Sequence, residues 1–241
     1  MDYPNAEALN SSVPGVWRKL ARKPGELYRW GFYLYRATYD DQHLWERYIS
    51  FLSGMASSYL ARDTTHRRQE IRDKFRLSLV EDPDALDGAT MNDVKARFQN
   101  WSDSLPDEGI EDEEVPKEQN RDYARFRYCL FVDAECLESF KQQEGRLNDY
   151  AGGDHAEGGA FVKVINAEHQ VIDSEGDDSE ADENLEEEEA GQEEDGFEED
   201  WMYIDCRWVC AFYDIVQDGG YEWDRQLGMC KYPTKTPWRR C

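Results

Sequence analysis

The chain has 241 residues and a mass of 28.3 kDa, the length of one domain with room for a tail. Apolar residues make up 39% and aromatics 13%, too many for a chain that is disordered throughout and enough for a sizeable core. The net charge of −25, from 28 basic and 53 acidic residues, argues against a nucleic acid or an anionic membrane as partner, since both require clustered Lys and Arg.

Met1 to Ser12 has neither a basic start nor an apolar run, so it does not read as a secretory signal. No stretch approaches 18 consecutive apolar residues, so no transmembrane helix is expected. Residues 1–27 read as a flexible arm carrying a small basic cluster at Trp17, Arg18, Lys19, Arg22 and Lys23. An α/β core is predicted over 28–172. Its first strand is Arg29 to Tyr39, where both alternating faces are apolar, the pattern of a strand covered on both sides. Asp40 or Asp41 then caps a helix running to about Ala61, with Leu44, Tyr48, Leu52, Met55 and Tyr59 along one stripe, widened by Trp45, Ile49, Phe51 and Leu60. The basic cluster from Arg62 to Arg68 ends it and complements its dipole.

The unit then repeats. Phe75 to Val80 alternates Phe75, Leu77 and Leu79 with Arg76 and Ser78, as a half-exposed strand does, and a loop of acids follows. Thr90 with Asp93 three residues later forms a capping-box pattern ahead of a helix bearing Met91, Val94, Phe98 and Trp101. Leu105 to Asn120 is polar and acidic and reads as a loop. Phe126 to Val132 is a third strand, after which Asp133 caps a short helix carrying Leu137 and Phe140. Gly145 to Gly159 is glycine-rich, and Ala160 to Ile165 is a fourth strand.

Residues 173–200 hold 17 acids and no base, with Leu185 and Phe197 as the only large apolar residues. Such a run buries too little to offset the entropy of ordering, so it reads as a disordered insert between core elements. Residues 201–218 return to the core as a fifth strand, Trp201 to Cys206, and a helix bearing Val209, Phe212, Tyr213 and Val216. Residues 219–241, with Gly219, Gly220, Pro233 and Pro237, read as an irregular tail. Strand, helix, strand, helix, strand is the order of right-handed crossovers, whereas the fourth and fifth strands lack a helix between them and are expected to pair antiparallel across the insert. The predicted fold is therefore α/β or α+β, a two- or three-layer sandwich around a mixed sheet of about five strands, with Trp30, Phe32, Leu77 and Leu130 in its core.

Three phrases carry a resemblance: Trp30-Gly31-Phe32 with Tyr35-Arg36 and Tyr39; Leu86-Asp87-Gly88-Ala89-Thr90 with Val94, Arg97-Phe98 and Trp101; and Cys129-Leu130-Phe131-Val132-Asp133. Over roughly residues 28–140, with weaker echoes at 160–165 and 201–216, the chain resembles a group of uncharacterised proteins from filamentous ascomycete fungi. The resemblance implies an intracellular protein and brings with it no activity and no catalytic residue.

The sharpest chemical reading uses strand ends. Asp40 and Asp41 follow the first strand, Glu81, Asp82, Asp84 and Asp87 the second, and Asp133 and Glu135 the third. Parallel strands joined by crossovers share one carboxyl edge, the edge where ligands bind in open α/β folds. Asp40, Asp82 and Asp133 are thus the candidates for a Mg²⁺ site or for an acid and base pair. Helix capping accounts for the same aspartates and is the preferred reading.

Six cysteines occur without a C-x-x-C pair. Cys206 and Cys210, four apart, lack two further ligands for zinc, the nearest histidine, His169, being 37 residues upstream. Cys129 lies in an apolar run and reads as a buried thiol. Neither His43, His66 nor His155 sits in a catalytic pattern, and Gly152-Gly153 and Gly158-Gly159 lack the spacing of a phosphate loop. No cofactor is expected. The leading expectation is a non-enzymatic interaction protein of the cytoplasm or nucleus, meeting a basic protein through residues 173–200. The alternative is a small enzyme or small-molecule binder at the acid-rich sheet edge.

Overall fold

The computed structural model describes residues 29–61, 68–105, 123–147, 159–167 and 200–217. The expectations for the N-terminal arm, the acidic run up to residue 199, the C-terminal tail, most of the acidic and glycine-rich loops, and His66, His155 and His169 fall outside them.

The elements are β1 (Tyr33–Arg36), α1 (Gln42–Ala61), α2 (Arg68–Lys74), β2 (Ser78–Val80), α3 (Pro83–Leu86), α4 (Met91–Asp103), β3 (Tyr128–Val132), α5 (Ala134–Leu147), β4 (Phe161–Asn166), β5 (Trp201–Asp205) and α6 (Val209–Val216). They build an α/β fold around a mixed five-stranded sheet of order β2-β1-β3-β4-β5. β1 runs parallel to both β2 and β3, and β3, β4 and β5 pair antiparallel in succession. The chain leaves β1 through α1 and α2, enters β2, and returns to β3 through α3 and α4. Crossovers of one hand that move in opposite directions across a sheet lay their helices on opposite faces.

Two cores result. Phe32, Leu34, Leu130, Val132, Val162, Val164 and Ile204 face α1, α5 and α6, which contribute Tyr48, Leu52, Phe140, Val209, Phe212 and Tyr213. Tyr35, Cys129, Phe131 and Ile165 face α3 and α4, which contribute Leu86, Val94 and Phe98. The result is three layers, with every residue of β3 buried, as expected of a strand covered on both faces.

Local chemistry explains where the elements differ from the sequence expectation. The expected strand Arg29–Tyr39 is regular only over Tyr33–Arg36. Gly31 adopts φ +102°, and a Cβ there would sit 2.2 Å from the Arg76 carbonyl oxygen. The ladder is interrupted at that close approach, and Trp30 makes an isolated parallel bridge to Phe75 instead. Trp30 is still buried, with its indole N–H donating to the Ile71 carbonyl at 2.8 Å and its ring 4.8 Å from Phe75 and 5.3 Å from Tyr213.

The expected strand Phe75–Val80 contracts to Ser78–Val80 at the sheet edge, where Leu79 is 41% exposed and Leu77 is half-buried, not core. An edge strand has a neighbour on one side only, so the alternation of its side chains no longer guarantees burial. The loop of acids contains the one-turn α3, built by Pro83 at its first position and Asp82 as its cap, whose carboxylate accepts from the Ala85 N–H. The short helix after β3 runs 14 residues. In α1 the buried stripe is Leu44, Trp45, Tyr48, Leu52, Ala56 and Leu60, with Met55 and Tyr59 on its half-exposed shoulder. No helix among the described residues is long and apolar enough to cross a membrane.

Candidate functional site

The carboxyl ends of β1, β2 and β3 lie at one edge of the sheet, and the three candidate aspartates follow them. Asp41, not Asp40, caps α1, its Oδ1 accepting from the Leu44 N–H at 2.8 Å. Asp82 caps α3 through Oδ1 and meets the Arg97 guanidinium through Oδ2 at 3.0 Å. Asp133 caps α5 through Oδ1, accepting from the Cys136 N–H at 3.1 Å, and meets Lys163 Nζ through Oδ2 at 2.5 Å. A carboxylate has two oxygens, and in Asp82 and Asp133 one serves a helix N-terminus while the other serves a cation.

A cleft of about 480 Å³ opens at this edge between the ends of β1 and β3, lined by Thr38, Asp40, Asp87, Thr90, Phe131 and Asp133 among others. It brings Asp40 and Asp133 to one space. Asp82 lies outside its lining, and Asp87 takes the third place. Asp40 and Asp87 are exposed. Among the described residues no group of three or more His, Cys, Asp or Glu side chains is arranged to hold a metal ion.

Beside the cleft lies a buried ionic cluster that sequence reasoning did not single out. Lys163 of β4 is 5% exposed. Its ammonium reaches Asp133, and Glu135 at 2.8 Å, and lies 5.5 Å from the Trp201 ring and 5.6 Å from that of Tyr203. The Tyr203 hydroxyl donates to Glu135 at 3.1 Å. Burial works against the charge on Lys163, and the hydrogen bonds to Asp133 and Glu135 outweigh it and hold the ammonium above the ordinary lysine range. Burial likewise opposes ionisation of Glu135, but Lys163 and Tyr203 hold its carboxyl below the usual range. The cluster is therefore a locked set of charges and not a source of a neutral amine at neutral pH. The available signal was Lys163 itself, a lone charge within Ala160 to Ile165.

A second buried cation lies at the carboxyl end of β1. Arg36, at the end of β1, is 3% exposed and donates to the Thr38 carbonyl at 2.7 Å, to Gln42 Oε1 at 2.8 Å and to Glu81 Oε1 at 3.1 Å. Its guanidinium lies over the Tyr39 and Trp45 rings, 4.2 Å and 4.7 Å from their centroids. The Tyr39 hydroxyl accepts from the Asp82 N–H at 2.8 Å, which ties the ends of β1 and β2 together.

The four described cysteines, Cys129, Cys136, Cys206 and Cys210, are all buried as free thiols. Burial raises each of them, Cys206 to about 12, so none is a thiolate at neutral pH. His43 is exposed near the start of α1, 3.8 Å from Glu46.

No family model, curated protein or solved structure matches the chain.

Proposed function

We propose that the chain is a non-enzymatic interaction protein of the cytoplasm or nucleus that offers the acidic run 173–199 to a basic protein. One observation carries the reading. The Asn166 N–H donates to the Asp200 carbonyl at 2.6 Å as β4 hands over to β5, so the chain leaves the sheet after Ala167 and returns at Asp200 beside its point of departure. The sheet thus holds Ala167 and Asp200, which flank the most acidic part of the sequence, beside one another. The engagement of Asp82 and Asp133 in caps and ion pairs supports the non-enzymatic half of the reading.

The test is calorimetric titration of a lysine-rich peptide into the full chain and into a variant with the acids of 173–199 replaced by Asn and Gln. The wild type is expected to bind, and binding is expected to fall steeply with salt as the Debye length shrinks from ~10 Å at about 0.1 M to ~3 Å at about 1 M. Equal binding by both proteins, or none by the wild type, overturns the proposal.

The cleft favours the alternative, a small-molecule binder. With Asp40, Asp87 and Asp133 in its lining, its ligand would be a small cation. A thermal shift with an oligoamine that disappears in Asp40→Asn, Asp87→Asn is its test, and no shift in the wild type removes it.

A further inference from the structure

At β2 the sheet ends. The Arg76 and Ser78 N–H groups donate to the Trp30 and Phe32 carbonyls, and Tyr33, Leu34 and Tyr35 pair with Ser78, Leu79 and Val80. In a parallel pair alternate residues address the same neighbour, so Leu77 and Leu79 turn amide and carbonyl away from β1. No described strand pairs with that side. Leu79 is the one exposed large hydrophobic residue among those described, and Leu77 beside it is half-buried. Native edges are commonly blunted by a lysine or a proline, and Leu77-Ser78-Leu79-Val80 has neither.

The charges flanking this edge are opposite in sign. Arg76 precedes it, and Glu81, Asp82 and Asp84 follow it. Arg76 is exposed and has no carboxylate partner among the described residues; its guanidinium donates to the Phe75 carbonyl at 2.8 Å. At the other end Asp84 is exposed, and Glu81, which gives one oxygen to Arg36, is 40% exposed. A strand laid parallel to β2 with the same sequence sets like charge beside like. Laid antiparallel, it sets each end against its opposite. A second copy brought edge to edge by a two-fold axis is antiparallel by symmetry, and its surface must be self-complementary.

We propose that two copies of the chain join through β2, edge to edge and antiparallel, into one continuous sheet. The two-fold axis passes beside Leu79. Leu79 then exchanges both backbone hydrogen bonds with Leu79 of the second copy, and Leu77 does the same with Glu81 of the second copy, since the alternation turns all of these backbone groups outward. The Leu77 and Leu79 side chains share a face, so Leu79 of the second copy packs on one directly and on the other diagonally. Arg76 falls opposite Asp82 of the second copy and next to its Glu81, and symmetry makes the contact twice. A shift that moves Arg76 to Val80 of the second copy loses the carboxylates, and one that moves it to Asp84 sets Leu79 against Glu81. A foreign acidic strand satisfies Arg76 but sets its acids against Glu81 and Asp84; the second copy answers both ends. The net charge of −25 repels the copies at long range. At about 0.15 M salt the screening length is ~8 Å, so contacts across the edge outlast repulsion between distant charges.

The test is sedimentation velocity of the full chain over a dilution series at about 0.15 M salt. The wild type is expected to pass from the mass of one chain to that of two as concentration rises. Leu79→Lys, which sets a charge against its own copy at the axis, is expected to keep the mass of one chain, with thermal unfolding showing that it is folded. Arg76→Glu, at an exposed position, is expected to do the same and serves where the lysine variant does not fold. A wild type that keeps the mass of one chain throughout, or folded variants that associate as the wild type does, overturns the proposal. Cross-linking reads the register. In a Cys230→Ser, Cys241→Ser background, Leu79→Cys is expected to give a disulfide dimer under mild oxidation, its Cα atoms standing about 5.5 Å apart across the axis. Glu138→Cys, exposed on α5 over β3 and β4, is expected to give none. Equal coupling at the two positions overturns pairing through β2.

Discussion

Lys163 and its two carboxylates differ in solvent access, and that difference sets the order in which their removal costs stability. The Lys163 side chain is 6% exposed, against 26% for Asp133 and 37% for Glu135. Removing the cation leaves two carboxylates that water can reach; removing the carboxylates leaves an ammonium that it cannot. Lys163→Met also keeps the volume of the stem between Trp201 and Tyr203 and deletes the charge. It forfeits charged hydrogen bonds worth about 1.5–3 kcal/mol each before rehydration, and rehydration of Asp133 and Glu135 returns most of this. The expected net cost is about 1–2 kcal/mol. In Asp133→Asn, Glu135→Gln the ammonium stays buried and uncompensated, the situation that costs about 3–5 kcal/mol.

The double variant does not confound this with capping, because Asn caps a helix as well as Asp does. Urea unfolding followed by tryptophan fluorescence measures both. The reasoning fails if Lys163→Met is the more damaging change, or if both variants lie within about 0.5 kcal/mol of wild type, the scatter of surface substitutions.

Gly31→Ala is expected to cost about 3 kcal/mol or more, because it adds positive-φ strain to a Cβ placed against the Arg76 carbonyl; thermal unfolding checks it, and a cost under about 1 kcal/mol refutes the close approach. Replacing 168–199 by Asn-Gly, which with Ala167 makes a three-residue hairpin loop ending in glycine, is expected to preserve cooperative unfolding, since Asn166 and Asp200 already hold hairpin register; loss of the cooperative transition contradicts this. Glu135, with its folded pKa held below the usual value, stabilises the fold above the unfolded value of about 4.3 and loses that contribution as pH falls through the folded value. Glu135→Gln is therefore expected to show a shallower loss of stability on acidification, measured as urea midpoints across the acid range. In a Cys230→Ser, Cys241→Ser background the four buried thiols are expected to resist an aromatic disulfide reagent until the chain unfolds, and fast labelling of the native state contradicts their burial.

Elements whose patterning is redundant were legible in the sequence. β3 is apolar at every position, α4 carries both a capping box and an apolar stripe, and the lack of an apolar helical period in the sequence between β4 and β5 pointed to the antiparallel pairing that they make. What escaped depended on one residue or on distance. α2 buries Ile71 and offers no period over seven residues. β1 is cut short at a single Gly31 whose missing side chain makes room for the carbonyl of Arg76, 45 positions later, and no window along the chain contains both. The candidate site divides the same way. Capping is local, so Asp82 and Asp133 could be read as caps from position alone. Their second oxygens were not readable, because Arg97 and Lys163 reach them only after the crossovers are laid down. The strand-end rule brought the aspartates to one edge but had no term for what would meet them there. A cation from a neighbouring strand or helix turns a carboxylate into a fastener, and only Asp40 and Asp87, which no such cation meets among the described residues, line the cleft with both oxygens uncommitted.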